Sequence, residues 1–518
     1  MSSALVLLVL ACGRGSPDST PESGTDSAAD TDPAADTDTA GDTDTAVDTD
    51  TDTGGDTDTD SDTDTGVDTD TGVGWTILGV STDDGLGGYG ALLLAPDLNG
   101  DGLDDVVVCG MSVDQGYRDA GGCAFHDLTV RAASAAWDDG TLLLSGGRPN
   151  ARAGTSVVLL GDVSGTGSPL LAVSELADST SEEGTGVVRV IDVSSSPASG
   201  TLASAEVGRV HGASASDRYG TRIAAADFDG DGGVDLAAGA PDESSKRGVT
   251  YVSFHTDDYW RQAVYAADAG VSFVGVRTDD YLGYGVAAAD FGGDGYDDLV
   301  ACSPYDDSGG TATGTCWVVR GGASFGSVGS ATISSVNDAV ITGSGASDSI
   351  GEDPVVVGDL DGDSVPDLVL GVKYFDGTGE NGGAAWAFHG GALSGTLLVS
   401  DADYLIQGEG YLGWGLALDG DVTGDGISDL LLGAPAAGAT GDGIVHLFAG
   451  GQPPGTYTLP EAQVTSWSGE PGYDFFGMNV GGGLRDVDAD GIKDFLVGAP
   501  GCDDGASNAG KVFVLPAP

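Results

Sequence analysis

Tyr219-Gly-Thr-Arg-Ile-Ala-Ala-Ala-Asp-Phe-Asp-Gly-Asp-Gly-Gly-Val-Asp-Leu-Ala-Ala-Gly-Ala-Pro241 is the stretch on which the reading of this chain turns. An aromatic residue and a glycine open it, an apolar run follows, and a loop rich in aspartate and glycine interrupts the run before a second apolar stretch closes on Gly-Ala-Pro. The aspartate loops recur at Asp97, Asp162, Asp227, Asp290, Asp359, Asp421 and Asp486, in steps of 65, 65, 63, 69, 62 and 65 residues. A period held over that many copies marks a propeller or a solenoid.

Within each unit the order repeats. The opening pairs are Tyr89-Gly90, Ala153-Gly154, Tyr219-Gly220, Tyr284-Gly285, Ile350-Gly351, Trp414-Gly415 and Phe476-Gly477. Apolar runs such as Asp105-Val-Val-Val108 and Asp429-Leu-Leu-Leu432 leave the loops, and Gly239-Ala-Pro241, Gly433-Ala-Pro435 and Gly498-Ala-Pro500 end three of them. A strand opening on glycine and a later β-rich piece such as Ala339-Val-Ile341 complete the unit. Short strands with glycine turns at regular spacing predict an all-β fold. Four strands per unit of about 65 residues predict one propeller blade each, seven in all. Trp75-Thr-Ile-Leu78 reads as the late strand of a unit lacking its front half, and the last unit stops after Val512-Phe-Val514. The N-terminal strand is therefore expected to complete the last blade and remove a free sheet edge.

The loops have the pattern Asp-x-Asp-x-Asp-Gly-x-x-Asp. Side-chain oxygens at positions 1, 3, 5 and 9 and the carbonyl at 7 converge on a hard cation, and glycine at 6 allows the sharp turn. The expected calcium ligands are Asp97, Asn99, Asp101, Leu103 and Asp105; Asp227, Asp229, Asp231, Gly233 and Asp235; Asp359, Asp361, Asp363, Val365 and Asp367; and Asp486, Asp488, Asp490, Ile492 and Asp494. The sixth loop, with Asp421, Thr423, Asp425, Ile427 and Asp429, puts a hydroxyl at position 3. The fourth, with Asp290, Asp294, Tyr296 and Asp298, has Gly292 there and is expected to be weaker. The second reads Asp162, Ser164, Thr166 and then Leu170 in place of the last carboxylate, so it is expected to have lost its metal. Five or six structural Ca2+ ions follow, because carboxylates gathered this closely repel without a cation and the ion stabilises only the folded loop.

The joint order of aromatic-Gly, apolar run, aspartate loop, strand and Gly-Ala-Pro resembles the FG-GAP repeat of integrin α-subunit propellers, over nearly all of residues 75–518. That resemblance implies a platform binding a protein ligand through loops on one face, with calcium loops stiffening the other.

A net charge of −64 repels nucleic acid and anionic membranes and attracts divalent metal. Less than a third of it lies before the repeats, but there it is nearly unopposed. Residues 18–70 hold eighteen Asp, one Glu and no Lys or Arg, which predicts a disordered, extended stalk over 13–73. The apolar run Leu5 to Ala11 is too short to span a bilayer and ends at Cys12, which resembles a bacterial lipobox. Residues 1–12 are thus expected to be a signal peptide, with Cys12 lipidated and the protein held at the outer membrane or cell surface; the alternative is a secreted protein. Residues 74–518 form the propeller.

Cys109 and Cys123 are 14 residues apart, as are Cys302 and Cys316, and both pairs occupy equivalent places in their units. Two cross-strand disulfides and an exported setting are expected, with Cys502 a free thiol in a loop. His126, His255, His389 and His446 read as one repeated solvent-facing position. Gly322-Ala-Ser324-Phe-Gly326 matches the nucleophile-elbow pattern but lies in a glycine turn without a strand-to-helix context. No paired-histidine zinc motif and no phosphate loop occurs in the sequence. The reading is a non-enzymatic, monomeric surface module whose membrane contact is its lipid anchor and whose partner is a protein. A glycan is the alternative partner, with Trp260, Trp386 and Trp467 as stacking platforms, and a glycan-active enzyme the more distant one.

Overall fold

The computed structural model describes residues 7–9, 75–98, 104–114, 117–126, 134–140, 142–163, 169–176, 185–194, 199–255, 262–268, 270–343, 345, 347–460, 465–469, 474–487, 493–504 and 507–518. Cys12, the acidic stretch 13–73 and Trp260 lie outside these, as do Asn99, Asp101, Leu103, Ser164, Thr166, Asp488, Asp490 and Ile492.

The fold is a seven-bladed β-propeller. In the third blade the strands Ile223–Ala226, Asp235–Ala240, Val249–Ser253 and Val271–Val274 pair antiparallel in chain order. The other repeats build their blades the same way. Every second strand, such as Asp235–Ala240 or Asp429–Ala434, is buried along its whole length. Each is pressed between two neighbouring blades, so both of its faces must be apolar. That is why the sequence shows continuous Val/Leu/Ala runs here rather than an alternation.

Closure is as expected. Trp75–Leu78 pairs antiparallel with Lys511–Pro516, Trp75 opposite Val514 and Leu78 opposite Lys511, and supplies the fourth strand of blade seven. Each blade also carries a fifth strand that the repeat pattern does not announce. Ser330–Thr332 from the next unit runs parallel to Val271–Val274, and Gly395–Leu398 and Gly455–Thr458 do the same for the following blades. Six of the units thereby cover the outer edge of the one before them. At blade six the covering strand is Leu7–Val9, parallel to Thr465–Ser468.

The opening pairs need a correction. The equivalent core residues are Leu86, Ala153, Tyr219, Leu282, Ile350, Leu412 and Phe476, all fully buried. The matching glycines are Gly87, Gly154, Gly220, Gly283, Gly351, Gly413 and Gly477, all with φ between +82° and +90°. Tyr284-Gly285 and Trp414-Gly415 therefore stand two residues late, and Tyr89-Gly90 three. The sequence offers more than one glycine in each of these turns, and the one after the buried residue takes the left-handed conformation. The displaced aromatics come to the surface, and Tyr89 is 62% exposed. Close approach of backbones also explains the glycine of Gly-Ala-Pro. A Cβ on Gly239 would sit 1.9 Å from the Gly283 carbonyl oxygen, and one on Gly433 1.8 Å from that of Gly477.

The two disulfides are present, Cys109–Cys123 and Cys302–Cys316, each between directly opposed residues of the second and third strands. Cys502 is a free thiol, but a buried one, packed in the core between blades six and seven. The histidine reading is overturned. His126 and His446 are buried, and counted from the glycine that opens the third strand the four stand five, seven, six and three residues on. Trp386 and Trp467 are 3% exposed and belong to blade cores, so neither can stack on a sugar.

Candidate functional site

The antiparallel order places each loop between first and second strands, and each loop after a third strand, on one face of the ring. Four aspartate loops are fully described, at 227–235, 290–298, 359–367 and 421–429. Each is anchored by the residue at position 2, which the sequence reading passed over. Phe228 and Phe291 are fully buried, Leu360 is 1% exposed and Val422 5%. Phe228 lies against Phe325, ring centroids 5.4 Å apart. The signal was available, since position 2 is apolar in all seven units: Leu98, Val163, Phe228, Phe291, Leu360, Val422 and Val487.

The backbone then winds around the acidic side chains. In the third loop Asp227 accepts hydrogen bonds from Gly230 and Gly232 N–H at 2.8 and 2.9 Å, and Asp231 from Gly233 N–H at 2.7 Å. The fifth repeats this, with Asp359 accepting from Gly362 and Ser364, and Asp363 from Val365. Positive φ at positions 4 and 6 aims these donors: Gly230, Gly232, Gly362 and, without the ease of glycine, Ser364 at +71°. The position-9 carboxylate ties the loop to two strands. Asp235 accepts from Phe228 N–H and His255 N–H, and Asp367 from Leu360 N–H and Gly390 N–H.

Carboxylate oxygens of Asp227, Asp229 and Asp235 lie within 4.8 Å of one another, and so do those of Asp359, Asp361 and Asp363. Among the described residues no Lys or Arg pairs with either group. Burial pushes the Asp235 carboxyl up to about 7, and Asp229 and Asp231 add to the shift. Burial likewise raises Asp367 to about 6, with Asp361 adding and His389 opposing. Oxygen donors only, clustered, with their charge disfavoured by each other and by burial, fit a hard divalent cation. Asp227, Asp229 and Asp235, and Asp359, Asp361 and Asp363, are thus groups that could hold a metal. In the sixth loop Asp421 accepts from Gly424, Asp425 and Gly426, and Asp429 from Thr423 and Gly450.

The remaining sequence-predicted ligands are placed in part. Asp105 and Asp494 start their second strands and accept hydrogen bonds from Leu98 and Val487 N–H, as position-9 residues do. Leu170, at position 9 of the second loop, is 3% exposed and sits in the core between blades two and three. That blade carries its charge inside instead. Arg189 is buried between Glu175, at 2.7 Å, and Glu206, which also meets Arg209 at 3.1 Å.

The opposite face holds the turns displaced above. Tyr281 and Tyr284 both meet Tyr305 edge to face, and Tyr411 meets Tyr374 and Trp414. Lys373, ion-paired with Asp353 and Glu352, lies over the Tyr374 and Trp414 rings at 4.8 and 5.0 Å. A cleft of about 520 Å³ opens here between Tyr305 and Tyr374, with Glu352, Asp376 and Asn381 on its walls. Tyr89 and Phe475 stand exposed farther round the ring.

Comparison with known proteins agrees with this architecture. The FG-GAP repeat family matches residues 219–254, 282–319 and 412–448, the loops and flanking strands of blades three, four and six. Integrin alpha-5 of Xenopus laevis is 32% identical over 154 residues, 28% of this chain and 14% of the relative. Integrin alpha-6 of Gallus gallus is 33% identical over 162 residues, 30% of this chain and 14% of the relative. Integrin alpha-PS2 of Drosophila melanogaster is 31% identical over 157 residues, 28% of this chain and 11% of the relative. The shared stretch is thus a small part of each relative's length. A solved structure titled "Structure of Dos1 propeller" aligns over 80% of this chain and 75% of its own at 11% identity, with a TM-score of 0.40.

Proposed function

We propose that this β-propeller, which carries FG-GAP repeats and is similar to integrin α chains over part of its length, is a calcium-stabilised, non-enzymatic module for recognising a protein at a cell surface. The observation that carries the reading is the division of labour between the two faces. One face concentrates carboxylate loops, and among the described residues no Lys or Arg pairs with the Asp227–Asp229–Asp235 or Asp359–Asp361–Asp363 groups; the other presents aromatic side chains around a cleft. Calcium is read at the loops starting at Asp97, Asp227, Asp359, Asp421 and Asp486, five ions of structural role. They close loops whose charges otherwise oppose folding, at the ~10⁻⁴–10⁻³ M affinities usual for extracellular modules. The aromatic face is the recognition surface, because tyrosine and tryptophan are enriched among the few residues that carry most of the energy of protein contacts.

Residues 1–12 are read as a leader that ends in acylation at Cys12, with 13–73 as the spacer that holds the propeller off the membrane. Removal of the leader takes Leu7–Val9 away and leaves Thr465–Ser468 as the outer edge of blade six. Mass measurement of the mature N-terminus checks this part, since unmodified Cys12 contradicts it.

Adhesion of beads coated with the full chain to candidate cells tests the recognition reading. Adhesion is expected to need calcium and to fall about tenfold, the scale of a single interface anchor, in Tyr89→Ser/Tyr374→Ser at unchanged melting temperature. Adhesion indifferent to both calcium and those substitutions contradicts it.

A further inference from the structure

The fourth loop differs from its neighbours where the third strand returns to it. Six residues after the glycine that opens that strand, blade four has Arg320, blade five His389 and blade six Ala449. This step faces position 3 of the loop. In blade five, His389 Nδ1 lies 3.1 Å from Asp361 Oδ2, the position-3 carboxylate. In blade four position 3 is Gly292, and the side chain from across the way fills the space: a Cβ on Gly292 would be 3.2 Å from Arg320 Nη1. The guanidinium then donates to Asp298 Oδ2 at 2.6 Å and, through Nη2, to the Leu393 carbonyl at 2.9 Å.

This rearranges the loop's hydrogen bonds. In the third and fifth loops the position-9 carboxylate spends Oδ2 on the N–H of position 2, from Phe228 or Leu360. In the fourth, Oδ2 of Asp298 is taken by Arg320, and Phe291 N–H turns to the Ala289 carbonyl at 3.0 Å. Oδ1 keeps its usual partner, the N–H of Gly321 at 2.8 Å. Asp298 is 1% exposed and Arg320 25%, so the pair is shielded from water on the carboxylate side.

We infer that Arg320 supplies in cis the positive charge that the neighbouring loops take from an ion, so that the loop at 290–298 is closed without metal. Two features of the sequence answer one another here: the ligand missing at Gly292 and the cation introduced at Arg320. A guanidinium matches a carboxylate in plane and needs no dehydration of a divalent ion to do so. It also stands against position 3 of the loop, where its charge would repel an incoming cation. The inference rests on the calcium reading of the other loops.

Amide hydrogen exchange on the full chain in calcium, with and without EDTA, separates the two. Chelation is expected to speed exchange at 229–235 and 361–367 by about tenfold or more and at 292–298 by less than about twofold. Native mass spectrometry gives a second readout that does not depend on local exchange. Asp290→Asn/Asp294→Asn is expected to bind as many calcium ions as the unaltered chain, and Gly292→Asp/Arg320→Met one more. Loss of an ion in the first variant, or exchange at 292–298 that rises with the other loops, overturns the inference. A chain that binds no calcium, with all three loops flat on chelation, overturns the calcium reading and this inference together.

Discussion

The third and fourth loops start from nearly the same sequence and solve the same electrostatic problem differently. The third gathers Asp227, Asp229, Asp231 and Asp235 with no Lys or Arg among the described residues paired to them, and burial with mutual repulsion raises Asp235 to about 7. The fourth drops one carboxylate at Gly292 and brings in Arg320, whose charge offsets part of the upward shift that burial imposes on Asp298. Blade two has gone further, with Leu170 in the core at position 9 and a buried Arg189–Glu175–Glu206 group spread over its second, third and fourth strands. On the reading proposed above, a repeat keeps the shape of a cation loop while supplying the positive charge itself, and dependence on calcium would then be a property of each blade.

The largest effect is expected in blade two. Glu175→Gln leaves the buried Arg189 one carboxylate short and is expected to cost about 3–5 kcal/mol in denaturant unfolding, with or without calcium. A cost that disappears in EDTA would break the contrast between blades. Next come matched amides at position 9. Asp298→Asn leaves Arg320 without its carboxylate and is expected to cost about 3 kcal/mol equally in calcium and in chelator. Asp235→Asn is expected to cost about 2–3 kcal/mol in calcium, the stabilisation of one ion near a hundredfold excess over its Kd, and close to nothing in chelator.

Acid sharpens the comparison from the other side. His211, beside the blade-two charges, is held down to about 4 by burial first and then by Arg209 and Arg189. Its unfolded pKa is near 6.5, so between about 6.5 and 4 the unfolded chain binds more protons than the folded one. Stability contributed by neutral His211 is complete above that window and is lost as pH falls through it, by up to about 1 kcal/mol per pH unit. His211→Phe is expected to flatten this slope in melts recorded from pH 4 to 7, and an unchanged slope would place the acid sensitivity elsewhere. The smallest effect belongs to the fifth loop. Ser364 holds φ +71° at position 6, where the third, fourth and sixth loops have glycine. Ser364→Gly is expected to stabilise by roughly 0.5–1 kcal/mol, because glycine adopts that conformation without a Cβ penalty.

Much of the architecture was legible in the sequence because it repeats. The period of the aspartate loops gives the blades, the half-units at Trp75 and Val514 give the closure, and equal spacing in equivalent places gives both disulfides. Features that cross from one unit to another left a weaker trace. The fifth strands, such as Ser330–Thr332, answer to the preceding blade's edge and carry no motif of their own. The choice of Leu282-Gly283 over Tyr284-Gly285 depends on which glycine takes positive φ against Gly239, a contact between blades three and four. Arg320 and Gly292 lie 28 residues apart in different strands' loops, and only their approach in space links them. The histidines misled because they share a strand or its end without sharing a position along it.

Calorimetric titration of the full chain with calcium, followed by melting with and without EDTA, tests the central claim most directly. Five ions and a marked loss of thermal stability on chelation are the predicted result. No calcium heat and an unchanged melt would contradict it, and would leave the carboxylates of Asp227, Asp229 and Asp235 gathered for some purpose other than a cation.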